Sequence, residues 1–161
     1  MSRARNLHVF VGLSLLLIGL PAAAGPYRTG DSFNGFAAAD QRGAPFTFKA
    51  GAYRYIIFET AGETDSSAQP KDPDWFENHH AVLLVDITEL SAFKRRIARS
   101  RMESKPFKIV VVDNKDAAAR FPKQQEKFTV LLLDETGKIT DIRYAAPGKE
   151  LQDLLSVSKK P

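Results

Sequence analysis

The chain of 161 residues contains no cysteine. Without a thiol it has no sulfur nucleophile, no disulfide redox centre and no thiolate ligand for a soft metal, so cysteine-based oxidoreductase and peroxidase chemistry is excluded. Small exported domains often depend on disulfide bonds for their stability. A domain formed by this sequence must instead be held together by the burial of its own core.

Long apolar runs are also scarce, and the one that exists lies at the N-terminus, over residues 9–20. Arg3 and Arg5 precede this run, and Pro21 and three alanines follow it. This arrangement predicts a secretory signal peptide over residues 1–24, with cleavage between Ala24 and Gly25 and a periplasmic destination. The run is short of the roughly 20 residues that cross a bilayer, so we expect no transmembrane segment in the mature chain.

The charge excess is small as well. The formal net charge is +4, and loss of Arg3 and Arg5 with the signal peptide lowers it by two, to about +2. This value is too mild to indicate a nucleic-acid partner or an anionic membrane surface. The sequence gives no indication of the oligomeric state.

The mature sequence, residues 25–161, predicts a single α/β domain. Strands are expected at 33–38, 46–48, 53–59, 81–86, 107–113, 128–133 and 139–144, and helices at 74–80, 88–103, 116–121 and 148–157. The first two strands flank a turn and predict a β-hairpin. Strands that alternate with helices favour a mainly parallel sheet with helices on both faces, and the last two strands add an antiparallel hairpin.

The helix expected at 88–103 carries two kinds of side chain. Leu90, Phe93, Ile97 and Met102 recur at helical spacing and predict one buried stripe. Lysine and arginine cover the rest of this helix, which indicates either a solvated face or a surface that docks an acidic partner.

Several local sequences occur in the order typical of one known superfamily. They are residues 30–33, 40–43 and 46–48 near the start, 55–60 in the first long strand, and 130–139 in the late hairpin. In this order the chain resembles the thioredoxin-like fold of peroxiredoxins and exported bacterial thiol reductases. The resemblance implies a mixed central sheet flanked by helices, with an N-terminal β-hairpin.

The chain departs from these redox families at two positions. Where they place a reactive cysteine after the first long strand, residues 61–67 contain no sulfur. Where they place a proline before the late hairpin, this chain has Phe128 and Thr129. No catalytic residue is therefore carried over, and the chain resembles the cysteine-free exported members of the superfamily.

The segment 60–72 is long, polar and rich in Gly, Ser and Pro, which predicts a loop that is either functional or mobile. Together with the short helix after it, this loop is our candidate for a partner-binding surface. Its candidate residues are Gly62, Glu63, Ser66, Ser67, Trp75, His79 and His80. A serine nucleophile would need an adjacent base, and the sequence has no Gly-x-Ser-x-Gly elbow, so we expect no catalytic residue among them.

Two groups of side chains have the chemistry of metal ligands. His79 and His80 lie near Asp72, Asp74 and Glu77, but adjacent histidines on a helix diverge by about 100° and rarely share one ion. Glu59, Asp86 and Asp113 each end a predicted strand, where carboxylates could hold a divalent cation or cap the helices that follow Asp86 and Asp113. We expect the capping role, and therefore no metal and no cofactor.

These features predict a non-enzymatic binding or accessory module, with another envelope protein as the expected kind of partner. Trp75 and Phe76 are expected to pack in the core or under the loop. The alternative is a metal-dependent or hydrolytic enzyme that uses His79 or His80 with nearby carboxylates.

Overall fold

The computed structural model describes residues 25–62, 70 and 72–157. Within them, seven strands form one sheet: β1 (Ala38–Asp40), β2 (Pro45–Phe46), β3 (Tyr55–Thr60), β4 (Ala81–Asp86), β5 (Ile109–Val112), β6 (Phe128–Leu133) and β7 (Ile139–Ala145). Four helices accompany them: α1 (Trp75–Asn78), α2 (Ala92–Glu103), α3 (Lys115–Ala119) and α4 (Lys149–Val157). None of the helices in these residues is long and apolar enough to cross a membrane.

The strand order is β2-β1-β5-β4-β3-β6-β7. β3, β4 and β5 are parallel to one another, and β6 and β7 continue the sheet in the antiparallel sense. Every residue of β4 is buried, as a continuous apolar run between two covered faces requires. The predictions of an α/β class, a mixed sheet and an N-terminal hairpin are confirmed.

Each face of the sheet has its own core. On one face, alternate residues of the strands pack against α1, α2 and α4, through side chains such as Phe76, Met102 and Leu155. On the other face, the remaining strand residues pack against α3 and an aromatic group from the N-terminal segment. Leu151 and Leu155 of α4 are both buried, so one side of this helix faces the first of these cores.

The second core is centred on Phe121, which directly follows α3 and its C-cap. Its ring stacks on Phe58 of β3, with 4.1 Å between the ring centroids and 3° between the planes. Tyr27 and Phe33 approach the same ring at 5.3 and 6.2 Å in edge-on geometry. Because aromatic pairs add to the free energy gained by burying their area, this group fixes the N-terminal segment on the sheet without a disulfide.

The first strand of the hairpin lies later than predicted. The expected strand at 33–38 is wrong in its bounds, since β1 contains only Ala38–Asp40. Phe33 is instead a core residue, whose backbone N–H donates to the carbonyl of Gly137 in the late hairpin. Gln41 then joins the N-terminal hairpin to β5, because its side chain donates to the Phe107 carbonyl at 2.7 Å and accepts from the Ile109 N–H at 2.9 Å.

α2 begins later than the sequence pattern predicts, and α3 has a different N-cap from the one predicted. α2 begins at Ala92 and not at Thr88, because the Asp86 carboxylate accepts the Thr88 N–H and turns the chain before Ser91 caps the helix. α3 is capped by Asn114, whose side chain accepts two backbone N–H groups, and not by Asp113.

The turn between β6 and β7 agrees with the prediction. The Asp134 carboxylate accepts hydrogen bonds from the Thr136 hydroxyl and from the backbone N–H groups of Thr136 and Lys138. Gly137 follows with φ of 82°, a conformation that glycine adopts without strain. The Thr136 hydroxyl, followed by the backbone N–H of Lys138, holds the pKa of Asp134 below its usual value because these bonds favour the charged form.

Phe121→Ala should lower the free energy of unfolding by about 3–5 kcal/mol, since it removes the ring that Phe58, Tyr27 and Phe33 pack against. Urea unfolding measures this value. Phe93→Ala is the matched control and should change stability by no more than about 0.5 kcal/mol, because Phe93 is 72% exposed. Equal losses in the two variants would contradict a core centred on Phe121.

Candidate functional site

The carboxyl ends of β3, β4 and β5 form one edge of the sheet, which we call the carboxyl edge. Thr60 pairs in register with Asp86, and Asp86 pairs with Val112. In open α/β sheets, ligands bind beyond this edge. The side chains that these strands bring to the carboxyl edge are therefore candidates for a binding site.

The three predicted carboxylates do not converge at the carboxyl edge. Glu59 is one register position away from Asp86, so the two side chains project to opposite faces of the sheet. Asp113 is exposed and pairs with Arg99 at 3.0 Å. Among the described residues, no three His, Asp or Glu side chains are grouped as a metal site would need.

Asp86 has a structural role at this edge. Its side chain is fully buried, one oxygen accepts the Thr88 N–H at 2.8 Å, and the other pairs with the Lys123 ammonium at 2.8 Å. Lys123 also lies 5.7 Å from the centroid of the Phe58 ring, within the range of a cation–π contact. Asp86 therefore fastens the end of β4 to the segment that follows α3.

A cavity of about 370 Å³ opens between α2 and the sheet, next to the carboxyl edge. We call it the α2 cavity. Its apolar lining consists of Ala61, Val85, Leu90, Ile97, Ala98, Met102 and Ile109, and its other lining residues are Gly62, Glu59 and three cations. A cavity of this size is within the range of small-molecule pockets, which span roughly 300–1,000 Å³.

The three cations are Lys94, Arg101 and Lys105. Lys94 and Arg101 lie within about 20° of one another around α2 at 100° per residue, and Lys105 follows its C-cap, Ser104, so the three cations form a row along the cavity. Within the described ranges, none of their side chains forms a hydrogen bond or an ion pair. Arg95 and Arg99 differ, because Arg95 donates to the carbonyls of Leu90 and Thr88, and Arg99 pairs with Asp113.

The buried stripe predicted for α2 is wrong at two of its four positions. Met102 is buried and Leu90 half-buried, but Phe93 is 72% exposed and Ile97 is 38% exposed. The helix is rotated so that Ala98 and Met102 contact the core, and Phe93 lies about 140° around the helix from Ala98. Two large apolar side chains therefore lie on the open flank of α2, beside the cavity.

The predicted partner-binding residues lie in two separate places. Gly62 lines the α2 cavity at the carboxyl edge. Trp75 lies in α1, and His79 and His80 come immediately before β4. All three are therefore at the opposite edge of the sheet, which we call the amino edge. A strand of six residues separates the two edges by roughly 17 Å. Glu63, Ser66 and Ser67 lie outside the described residues.

At the amino edge, the two histidines have different surroundings. Nδ1 of His79 lies 2.7 Å from the carbonyl oxygen of Trp75. The centroids of the His79 and Trp75 rings are 4.4 Å apart. His79 thus closes the end of α1, as a side chain near a helix C-terminus can. His80 has an exposed side chain and a φ of 51°, and its carbonyl accepts the N–H groups of Arg54 and Tyr55.

The packing predicted for Trp75 and Phe76 is confirmed. Phe76 is buried against Phe107, with 4.9 Å between ring centroids, and Trp75 is half-buried and packs edge-on against Phe76. Close to this helix, burial and, to a smaller extent, the negative charge of Glu77 raise the pKa of Tyr53. The aromatic side chains of α1 are thus part of the core at this edge.

No protein-family model matches the chain, and no curated protein matches its sequence. Solved structures do match its fold. A thio-disulfide isomerase from Thermus thermophilus is 20% identical, with 84% of this chain and 99% of that chain covered and a TM-score of 0.51. The thioredoxin domain of a thiol-disulfide oxidoreductase from Bacteroides vulgatus is 15% identical over 83% and 99%, with a TM-score of 0.51. A mutant of PrxQ from Xylella fastidiosa is 12% identical over 84% and 98%, with a TM-score of 0.53.

The chain therefore has a thioredoxin-like fold, as the order of its sequence motifs predicted. At these identities the likeness concerns the fold alone, because one fold can carry many different sites. The named neighbours include thiol-disulfide proteins, whereas this chain has no cysteine. What it has beside the carboxyl edge is an apolar cavity with a row of cations.

Lys123→Met should lower the free energy of unfolding by about 1–3 kcal/mol, because it leaves the buried Asp86 carboxylate without its cation. This value is below that of a fully buried pair because the Lys123 side chain is 39% exposed. Lys149→Met, which removes an exposed pair with Asp153, is the control and should change urea unfolding little. Equal stability of the two variants would refute the role given to Asp86.

Proposed function

We propose that this chain is a periplasmic, non-enzymatic binding module of thioredoxin-like fold that has no thiol redox chemistry. The observation that supports this proposal best is the α2 cavity, an apolar cavity lined by three cations, whose end at Gly62 adjoins the edge at which α/β sheets bind ligands. The flank of α2 that bears Phe93 and Ile97 adjoins the cavity and extends the apolar surface.

The absence of redox chemistry follows from composition. Thiol-disulfide exchange and peroxide reduction by cysteine both need a thiolate, and this chain has no sulfhydryl group. Among the described residues that line the α2 cavity there is no serine, threonine or histidine, since this lining is apolar apart from three cations and Glu59. Such a lining suits binding better than covalent chemistry.

The kind of partner follows from charge and shape. Large exposed apolar side chains beside a concave surface are typical of interaction sites. The cationic row favours a partner that presents negative charge, and in the periplasm this would be an envelope protein or a small molecule found there. The mild net charge of the mature chain does not favour nucleic acid.

The competing function is an enzyme that uses His79 or His80 with nearby carboxylates. In the described residues His79 is engaged with the Trp75 carbonyl, and no third ligand joins the two histidines. These contacts favour the binding module over such an enzyme.

The purified mature chain should contain less than about one tenth of an equivalent of any transition metal, and His80→Ala should not change that content.

Metal analysis by mass spectrometry of the native protein and of His80→Ala makes this measurement. Insulin reduction and peroxide consumption, measured beside it, should proceed at the rate of buffer because the chain has no thiolate. A stoichiometric metal that is lost in His80→Ala would overturn the binding module in favour of the enzyme. Turnover in either redox assay would do the same.

A photoreactive amino acid at position 93, on the open flank of α2 and outside the lining of the cavity, should cross-link one discrete partner in the bacterial envelope. The same group at Thr140, which is exposed on β7 away from the cavity, is the control and should give no such product. Identical products from both positions would show that the flank of α2 is not the binding surface.

The periplasmic location has its own test. Protein recovered from the periplasm of a bacterial host should begin at Gly25, because the Ala-rich segment 22–24 suits signal peptidase. Intact-mass measurement distinguishes this product from a chain that retains residues 1–24. Retention of Met1 in a membrane fraction would contradict export by a cleaved signal peptide.

A further inference from the structure

The α2 cavity has an arrangement that is specific enough to indicate a class of ligand. Its apolar lining comes from both layers, with Val85 and Ile109 on the sheet and Ile97, Ala98 and Met102 on the helix. The α2 residues that line it extend from Lys94 to Met102, with Leu90 before the helix and Lys105 after it. From Lys94 to Met102 this is about 12 Å at 1.5 Å per residue, so the lining follows about two turns of the helix.

Its charges are unevenly distributed along that length. Lys94 is near the end where β3 contributes Glu59, and a lysine and a carboxylate in one region offset each other. Arg101 is about 10 Å farther along the helix, Lys105 follows the end of the helix, and both line the cavity. Positive charge is therefore concentrated at the end near the start of β5, far from Glu59.

We propose that the α2 cavity binds a small amphipathic anion, an aliphatic chain with one terminal carboxylate. This inference rests on the proposed function, since it names the ligand of the same binding surface. The chain would lie along Val85, Ile97, Ala98 and Met102. The carboxylate would be held between Arg101 and Lys105, because the other end of the cavity contains Glu59.

The dimensions favour such a ligand over an acidic peptide. The cavity volume of about 370 Å³ is near the lower limit for small-molecule pockets, and its lining offers aliphatic contacts in one continuous strip. A bound peptide would need partners for its own backbone N–H and C=O groups. The lining side chains provide few such groups besides the cations and Glu59.

The first measurement is isothermal titration of the mature chain with octanoate, decanoate and dodecanoate below their micellar concentrations. Burial of each added methylene should strengthen binding roughly two- to fourfold until the cavity is filled. Decylammonium should bind at least tenfold more weakly than decanoate, because its charge would meet Arg101 and Lys105. Decanol should fall between the two.

Variants locate the site. Arg101→Gln combined with Lys105→Gln should weaken decanoate binding at least tenfold and leave decanol binding unchanged. Arg96→Gln is the matched control, because Arg96 is on the same helix about 160° from Lys94 and does not line the cavity. Ile97→Asp should weaken both ligands, since it places a charge on the apolar wall.

Three outcomes would overturn this inference. They are no saturable decanoate binding, equal binding of decanoate and decylammonium, and equal losses in the Arg96 and Arg101/Lys105 variants. Tighter binding of an acidic peptide with no decanoate binding would replace the small anion by a protein partner and leave the binding module standing. Chemical conversion of decanoate, detected by mass spectrometry of the recovered ligand, would instead refute the proposed function itself.

Discussion

The parallel pairing of β3 with β4 determines where each candidate residue lies. Because parallel strands require a crossover, the chain that leaves β3 at the carboxyl edge must reach the amino edge before β4 begins. Gly62 and His80, which are only 18 positions apart in sequence, therefore lie at opposite edges of the sheet. The same pairing directs Glu59 and Asp86 to opposite faces, which separates two carboxylates that the sequence places at equivalent strand ends.

The sequence predicted those elements whose local pattern and burial agree. The apolar runs 81–86 and 128–133 form β4 and β6 with the expected bounds. A strand that is covered on both faces is apolar along its whole length, so the ends of the apolar run mark the ends of the strand. The Asp-Glu-Thr-Gly turn was predictable from turn chemistry alone. The late start of α2 was not, since it depends on a side-chain hydrogen bond from Asp86 that competes with the helix.

The candidate site was predictable from the sequence only in part. Gly62 is among the predicted binding residues, and Lys94 and Arg101 belong to the basic helix face for which docking of an acidic partner was the alternative, but Lys105 lies beyond the predicted helix at 88–103. The cavity beside them depends on the rotation of α2 about its axis, which periodicity does not define. α1 has four residues and adds Trp75 and Phe76 to the packed face at the amino edge.

The outermost strands of the sheet have a consequence for how another protein could attach. β2 is two residues long and begins with Pro45, which has no N–H to donate, and β7 carries Asp141 and Arg143 paired with each other. Short, proline-containing or charged margins discourage the addition of a foreign strand. Addition of a strand is therefore disfavoured at both margins, and a partner would instead meet side chains on the faces of the sheet. The same margins discourage sheet-to-sheet aggregation of a chain that has no disulfide bond to stabilise it.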